Sequence, residues 1–291
     1  MERETQMKKA LFGPAGSEEN YIQQYKSSVY MPEYLHNMGL DAFEYQCGRG
    51  VNISEETALA LGQAAKEFGI TMSVHSPYYI NLSSREDDRV KKNINYVMQS
   101  CAVAKCMGAE RIVVHCGGLS GRTRQEALDN TLLNLSDILG EMDANGHSDI
   151  RLCIETMGKQ SVMGDLDEVI TICKNDDRLI PCIDFGHLNA RSIGGVSDEH
   201  SFAAVIDKLV DGLGYERASR MHVHFSRIEY SAKGEVRHLT FDDDRFGPDP
   251  GLIAIMSEKG MYPTVICESA GTQARDALTL KQIYYKGAQA K

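Results

Sequence analysis

The chain has 291 residues, 42% apolar and 25% charged, the profile of a globular protein able to bury a core of real size. Its formal net charge of −10 argues against a nucleic-acid binder with a basic face, although carboxylates wrapped round cations count as negative when the cations are left out. No run approaches the roughly eighteen apolar residues of a membrane helix, and the opening MERETQMKKALFG lacks a secretion signal, so a cytoplasmic protein with no membrane partner is expected.

The eight cysteines form no CxxC pair, which excludes a zinc ribbon. Most sit in apolar runs as small hydrophobes, and no disulfide framework is expected.

Taken in order, the chain alternates short apolar runs with helical patterns. KKALFG predicts a strand, followed by a helix near SVYMPEYLHNMG. AFEYQC is the second strand. It leads to SEETALALGQAAKEFG, with Ser54 as N-cap and Gly69 as stop. TMSVHSPYY and RIVVHCGG are the third and fourth, each followed by a long helix. IRLCIET, LIPCIDFGH, RMHVHFS and TVICESA complete the set, with a long connection after RMHVHFS. The runs do not alternate cleanly, as expected of parallel strands covered on both faces. Eight such units in one chain predict a (β/α)8 TIM barrel, one domain over residues 1–291. The alternative, an open doubly wound sheet, lacks its Gly-rich phosphate turn, since GPAG after the first strand is only a loop.

In such a barrel the active site lies at the C-terminal strand ends. His75, His115 and Glu155 end strands three to five, Asp184 and His187 strand six, and Glu268 strand eight. His222 and His224 lie in strand seven, and His238 lies in the long connection. Each alone has a plain reading: Asp184 as a helix N-cap, a lone His as a satisfied core residue. Together they place acids and imidazoles on one face of six consecutive strands. Burying several carboxylates side by side without cations is very costly. Imidazole and carboxylate donors suit zinc, with manganese or iron as alternatives. The number of donors suffices for two or three ions, and clustered ions clamp a phosphate, which predicts phosphoester hydrolysis. His222 and His224 share a face. His222 is the expected ligand, and His224 is expected to support it or touch substrate.

The stretches VHSPYYINLSS, VVHCGG, CIETMGKQ, CIDFGHLNA, MHVHFSR and VICESA, in this order over nearly the whole chain, resemble endonuclease IV, the metal-dependent apurinic/apyrimidinic endonuclease family of (β/α)8 barrels. The resemblance implies three zinc ions. His75, His115 and Glu155 would hold the first; Glu155 would bridge, as the key catalytic carboxylate, to a second completed by Asp184, His222 and Glu268; His187 and His238 would hold the third. It implies hydrolysis of double-stranded DNA 5′ to abasic sites by a hydroxide between the first two ions, in a monomeric repair enzyme. Tyr78 and Tyr79 of YYINL would be a minor-groove wedge, and Arg49 a further DNA contact. Three departures stand out. Val236 occupies the position of a family Asp, with Glu235 beside it as a substitute; HVHF replaces the family's HLND; and LFGPAG lacks a first-strand His. The same superfold hosts sugar isomerases and epimerases. In that alternative one divalent cation would be held by Glu155, Asp184, Glu268 and His222. A non-catalytic DNA-binding relative would have no need of so many buried donors.

Overall fold

The computed structural model describes residues 8–289. Eight parallel strands form a barrel: β1 Leu11–Pro14, β2 Ala42–Gln46, β3 Thr71–His75, β4 Arg111–His115, β5 Arg151–Glu155, β6 Leu179–Asp184, β7 His222–Phe225 and, after a hairpin of β8 Ile228–Ser231 and β9 Gly234–His238, β10 Thr264–Cys267. The order is β1-β10-β7-β6-β5-β4-β3-β2. A parallel bridge from Ala15 to Glu44 and the hydrogen bonds Gly16 N to Glu44 O and Asp41 N to Phe12 O draw β1 against β2. Gly13 permits that approach, because a Cβ there would overlap the Ala42 carbonyl oxygen. The expected (β/α)8 barrel is therefore what the chain forms.

Helices cover the outer faces of the strands, and the main apolar core lies between the two layers. Local signals set their ends. Ser54 Oγ accepts from Thr57 N, and Gly69 stops the same helix in the left-handed region. Thr123 with Glu126, and Asp165 with Glu168, form capping boxes at two further helix starts. Among the described residues no helix is long and apolar enough to cross a membrane.

Inside the barrel, alternation and register stack the inward residues in layers. The C-terminal layer contains Gln46, His75, His115, Glu155, Asp184 and His224. Below it lie Glu44, Ser73, Val113, Cys153, Cys182 and His222. The N-terminal layer includes Ala42, Thr71, Arg111, Arg151 and Ile180.

Two expectations change in detail. LIPCIDFGH is not strand throughout: β6 ends at Asp184, and Phe185–Arg191 is a helix. The long connection after β7 contains the antiparallel β8–β9 hairpin, which the sequence pattern did not announce.

Candidate metal centre

The C-terminal layer opens into a pocket of about 580 Å3, whose lining includes His75, His115, Glu155, His187, Glu235, His238 and Glu268. Three groups there each bring donor atoms within 4.8 Å of one another: His75, His115 and Glu155; Glu155, Asp184, His224 and Glu268; and His187, Glu235 and His238. Glu155 belongs to two of them. All three are of the size and chemistry that hold a divalent cation.

The ring orientations follow from groups outside each set. His75 Nδ1 donates to the Ser76 carbonyl at 2.8 Å, which turns Nε2 toward Glu155 Oε2 at 3.4 Å. His115 Nε2 lies 2.9 Å from the same oxygen. His187 Nδ1 donates to the Thr156 carbonyl at 2.9 Å, leaving Nε2 to face Glu235 at 3.5 Å. His238 Nδ1 is fixed by Ser226 Oγ at 2.8 Å. A carbonyl can only accept, so each ring bonded to one must carry its proton on that nitrogen. Asp184 serves twice. Its Oδ1 caps the helix Phe185–Arg191 by accepting from His187 N at 2.7 Å, and its Oδ2 lies 3.1 Å from His187 Nδ1.

Two buried oxygens, Glu155 Oε2 and Asp184 Oδ2, accept no well-formed hydrogen bond, although His115 Nε2 and His187 Nδ1 lie 2.9 and 3.1 Å from them. An orphaned buried acceptor is expensive, most of all on a carboxylate. A cation among these donors removes that penalty, and the imidazole-carboxylate set fits zinc, manganese or iron.

The electrostatics point the same way. Burial alone would push the Glu155 carboxyl up, yet His115, His187 and His224 hold it well below the usual carboxylate range. Burial likewise opposes charge on His224, which Cys182, Glu268 and Glu44 nonetheless keep protonated well above the ordinary imidazole value. Burial opposes charge on His187 too, and Asp184, Glu155 and Glu235 overcome it in the same way. The carboxylates thus attract positive charge into the pocket, and a metal ion binding there displaces ring protons.

Strand seven differs from the expectation. His224, not His222, faces the carboxylates: its Nδ1 is 3.3 Å from Glu155 and 3.5 Å from Glu268. His224 is the register partner of Asp184, whereas His222 pairs with Cys182 one layer deeper. Both rings share a face, as their spacing requires, but only one reaches the C-terminal layer.

His222 is instead held by a residue that the sequence did not single out. Glu44, fully buried, accepts from Ser73 Oγ, His222 Nε2 and His224 Nε2, each at 2.9 Å. Burial pushes its carboxyl up, but the two rings hold it well below the usual range. Burial carries His222 down to about 4, so that ring is neutral. By accepting the Nε2 proton of His224, Glu44 turns Nδ1 toward the pocket. The sequence signal was an acid within the apolar strand AFEYQC, at the parity of Gln46.

The hairpin resolves the position of Val236. Glu229 pairs with Arg237 and Tyr230 with Glu235, so Val236 is the extra residue of a β-bulge. It turns outward, 52% exposed, and Glu235 comes onto the face of His238. Gly158 makes room, since a Cβ there would lie 2.7 Å from Glu235 and 2.9 Å from His187. On the rim, Tyr78 and Tyr79 are exposed with ring centroids 4.5 Å apart, and Arg49 Nε donates to the Tyr78 hydroxyl at 3.2 Å.

Comparison with known proteins places this arrangement among relatives. The family described as xylose isomerase-like TIM barrel matches residues 32–285. An uncharacterized protein of Methanocaldococcus jannaschii is 33% identical over 94% of this chain and 96% of its own. A probable endonuclease 4 of Mycoplasma pneumoniae is 25% identical over 67% of this chain and 71% of its own. Among solved structures, a D-tagatose 3-epimerase-like protein superposes with a TM-score of 0.68 at 23% identity, covering 91% of this chain and 96% of that one. Endonuclease IV from Thermus thermophilus superposes with a TM-score of 0.65 at 16% identity, covering 97% and 100%.

Proposed function

The chain belongs to the xylose isomerase-like TIM barrel family, and from that premise we propose that it is a metal-dependent phosphodiesterase of endonuclease IV type, cleaving DNA 5′ to abasic sites. The observation that carries this reading is the third donor group. His187, Glu235 and His238 stand beside two other groups that share Glu155. One ion would need only one of the three, whereas phosphodiester cleavage uses several cations around one phosphate. The probable endonuclease 4 relative adds support at the level of sequence.

In this reading His75, His115 and Glu155 would hold one ion, and Glu155, Asp184, His224 and Glu268 a second. His187, Glu235 and His238 would hold a third. Divalent cations, when bound there, would supply Lewis acidity toward water and the phosphate. The protein does the rest by position. Glu155, common to two donor groups, would tie the two inner sites together. Tyr78 and Tyr79 wedge into the minor groove beside the lesion. Arg49, together with Arg89 and Lys159 of the pocket lining, contacts the DNA backbone. An abasic nucleotide has lost its stacked base and is cheaper to extrude than an intact one.

One observation favours a second reading. Glu155, Asp184, His224 and Glu268 suffice by themselves for one ion, with two glutamates flanking it, and the epimerase-like structure superposes well. A sugar epimerase on this site would bind about one ion per chain. The experiment measures metal content by mass spectrometry on protein purified without chelator, then incision of an abasic duplex beside an intact one. About three ions and 5′ incision confined to the abasic duplex are expected. About one ion and no incision would overturn the nuclease reading.

A further inference from the structure

Strand alternation carries the inward face of β4 and β5 down from His115 and Glu155 through Val113 and Cys153 to Arg111 and Arg151. On β7 the same alternation passes from His224 through His222 to Arg220, just before the strand. Three guanidinium groups thus gather at the N-terminal floor of the barrel.

Arg111 and Arg151 are direct register partners on neighbouring strands, and like charges placed opposite one another are destabilising. Glu110 offsets this only in part at Arg111. Among the described residues no carboxylate pairs with either, and Arg111 Nη1 is buried without a hydrogen-bond partner. Arg111 Nη2 donates only to the Arg220 carbonyl at 3.0 Å. Glu44, one layer up, is committed to Ser73, His222 and His224. Glu216 lies 3.7 Å from Arg220, but Lys8 and the Tyr262 hydroxyl already occupy it. Burial, together with Arg220 and Arg151, pushes the Arg111 guanidinium below its usual range.

Beside Arg111 and Arg220 opens a cavity of about 1030 Å3. Arg111, Arg220, Lys66 and Lys105 line it together with Ser73 and Thr264. Six cations line it against two carboxylates, Glu110 and Glu216.

The geometry points to an oxyanion site at the barrel floor, taking a phosphate group that is either free or carried on a small molecule. Guanidinium forks match phosphate oxygens in bidentate geometry. A small rotation of Arg111 turns its orphaned Nη1 onto the ligand, and the anion relieves the repulsion between Arg111 and Arg151. The cavity has room for a phosphomonoester. It lies at the opposite end of the barrel from the metal centre, with the layer of Glu44 and His222 between them.

Arginine modification by phenylglyoxal, mapped by mass spectrometry on the metal-loaded protein, tests this. The arms are inorganic phosphate, glucose 6-phosphate and chloride at equal ionic strength, and exposed Arg237 is the control. At about ten times the half-protecting concentration, modification of Arg220 should fall about tenfold, with no fall in chloride. A lower half-protecting concentration for the ester identifies a phosphomonoester as the ligand, and equal values identify free phosphate. Arg111→Met should remove the protection of Arg220. Should that variant not fold, Arg151→Gln, at an exposed position, should weaken it. Equal modification in all three arms overturns the site. So does protection of Arg220 that survives undiminished in every folded variant.

Discussion

The inner and outer parts of the candidate metal centre are built differently. His75, His115, Glu155, Asp184, His224 and Glu268 stand on or just past barrel strands, with orientations set by neighbouring strands and carbonyls. His187, Glu235 and His238 stand on the first turn of a helix and on the β8–β9 hairpin. Donors on barrel strands hold their spacing whether or not an ion is bound, whereas the outer group depends on a bulge and a glycine. The inner part should therefore tolerate chemical change least.

Glu155→Gln tests that rigidity most severely. Loss of the carboxylate common to two groups should lower the incision rate on the order of 10³-fold while circular dichroism stays unchanged. Retention of the rate would remove Glu155 from the chemistry. Next comes the pair on β7. His224→Ala should lose the ion of the second group and most activity, whereas His222→Ala, one layer deeper, should keep the full complement of ions by mass spectrometry. The reverse result would restore the assignment made from sequence. Glu44→Gln removes the carboxylate behind His224. It should weaken metal binding about 10- to 100-fold, read by competition with a chelating dye.

The barrel was legible because apolar runs and helix signals recur eight times, and repetition outweighs an error in any one element. His75, His115, Glu155, Asp184 and Glu268 were legible because strand ends in a barrel share one face. What stayed hidden depends on depth and register. His222 and His224 share a face, and only the pairing of Asp184 with His224 says which reaches the pocket. Glu44 looked like one acid in an apolar run, since its partners lie 29, 178 and 180 residues away. Val236 appeared to break the third group because it stands where the family has an Asp, and only the bulge shows how the neighbouring Glu235 comes to His238 instead. The three floor arginines are at strand starts, where a charged residue ordinarily means solvent.

The outer group gives the smallest effect and the sharpest discrimination. His238→Ala should lower incision less than His115→Ala, by about tenfold, and should remove one ion while the inner ions remain. Gly158→Ala removes no donor atom, yet its Cβ would push against Glu235 and His187 together. If the bulge and the glycine between them build this group, the alanine variant should lose the same ion as His238→Ala with little change in melting temperature. If it keeps that ion, the hairpin can shift to accommodate a methyl group. The contrast between a rigid inner part and a conditional outer part would then be one of ligand count and not of mechanical support.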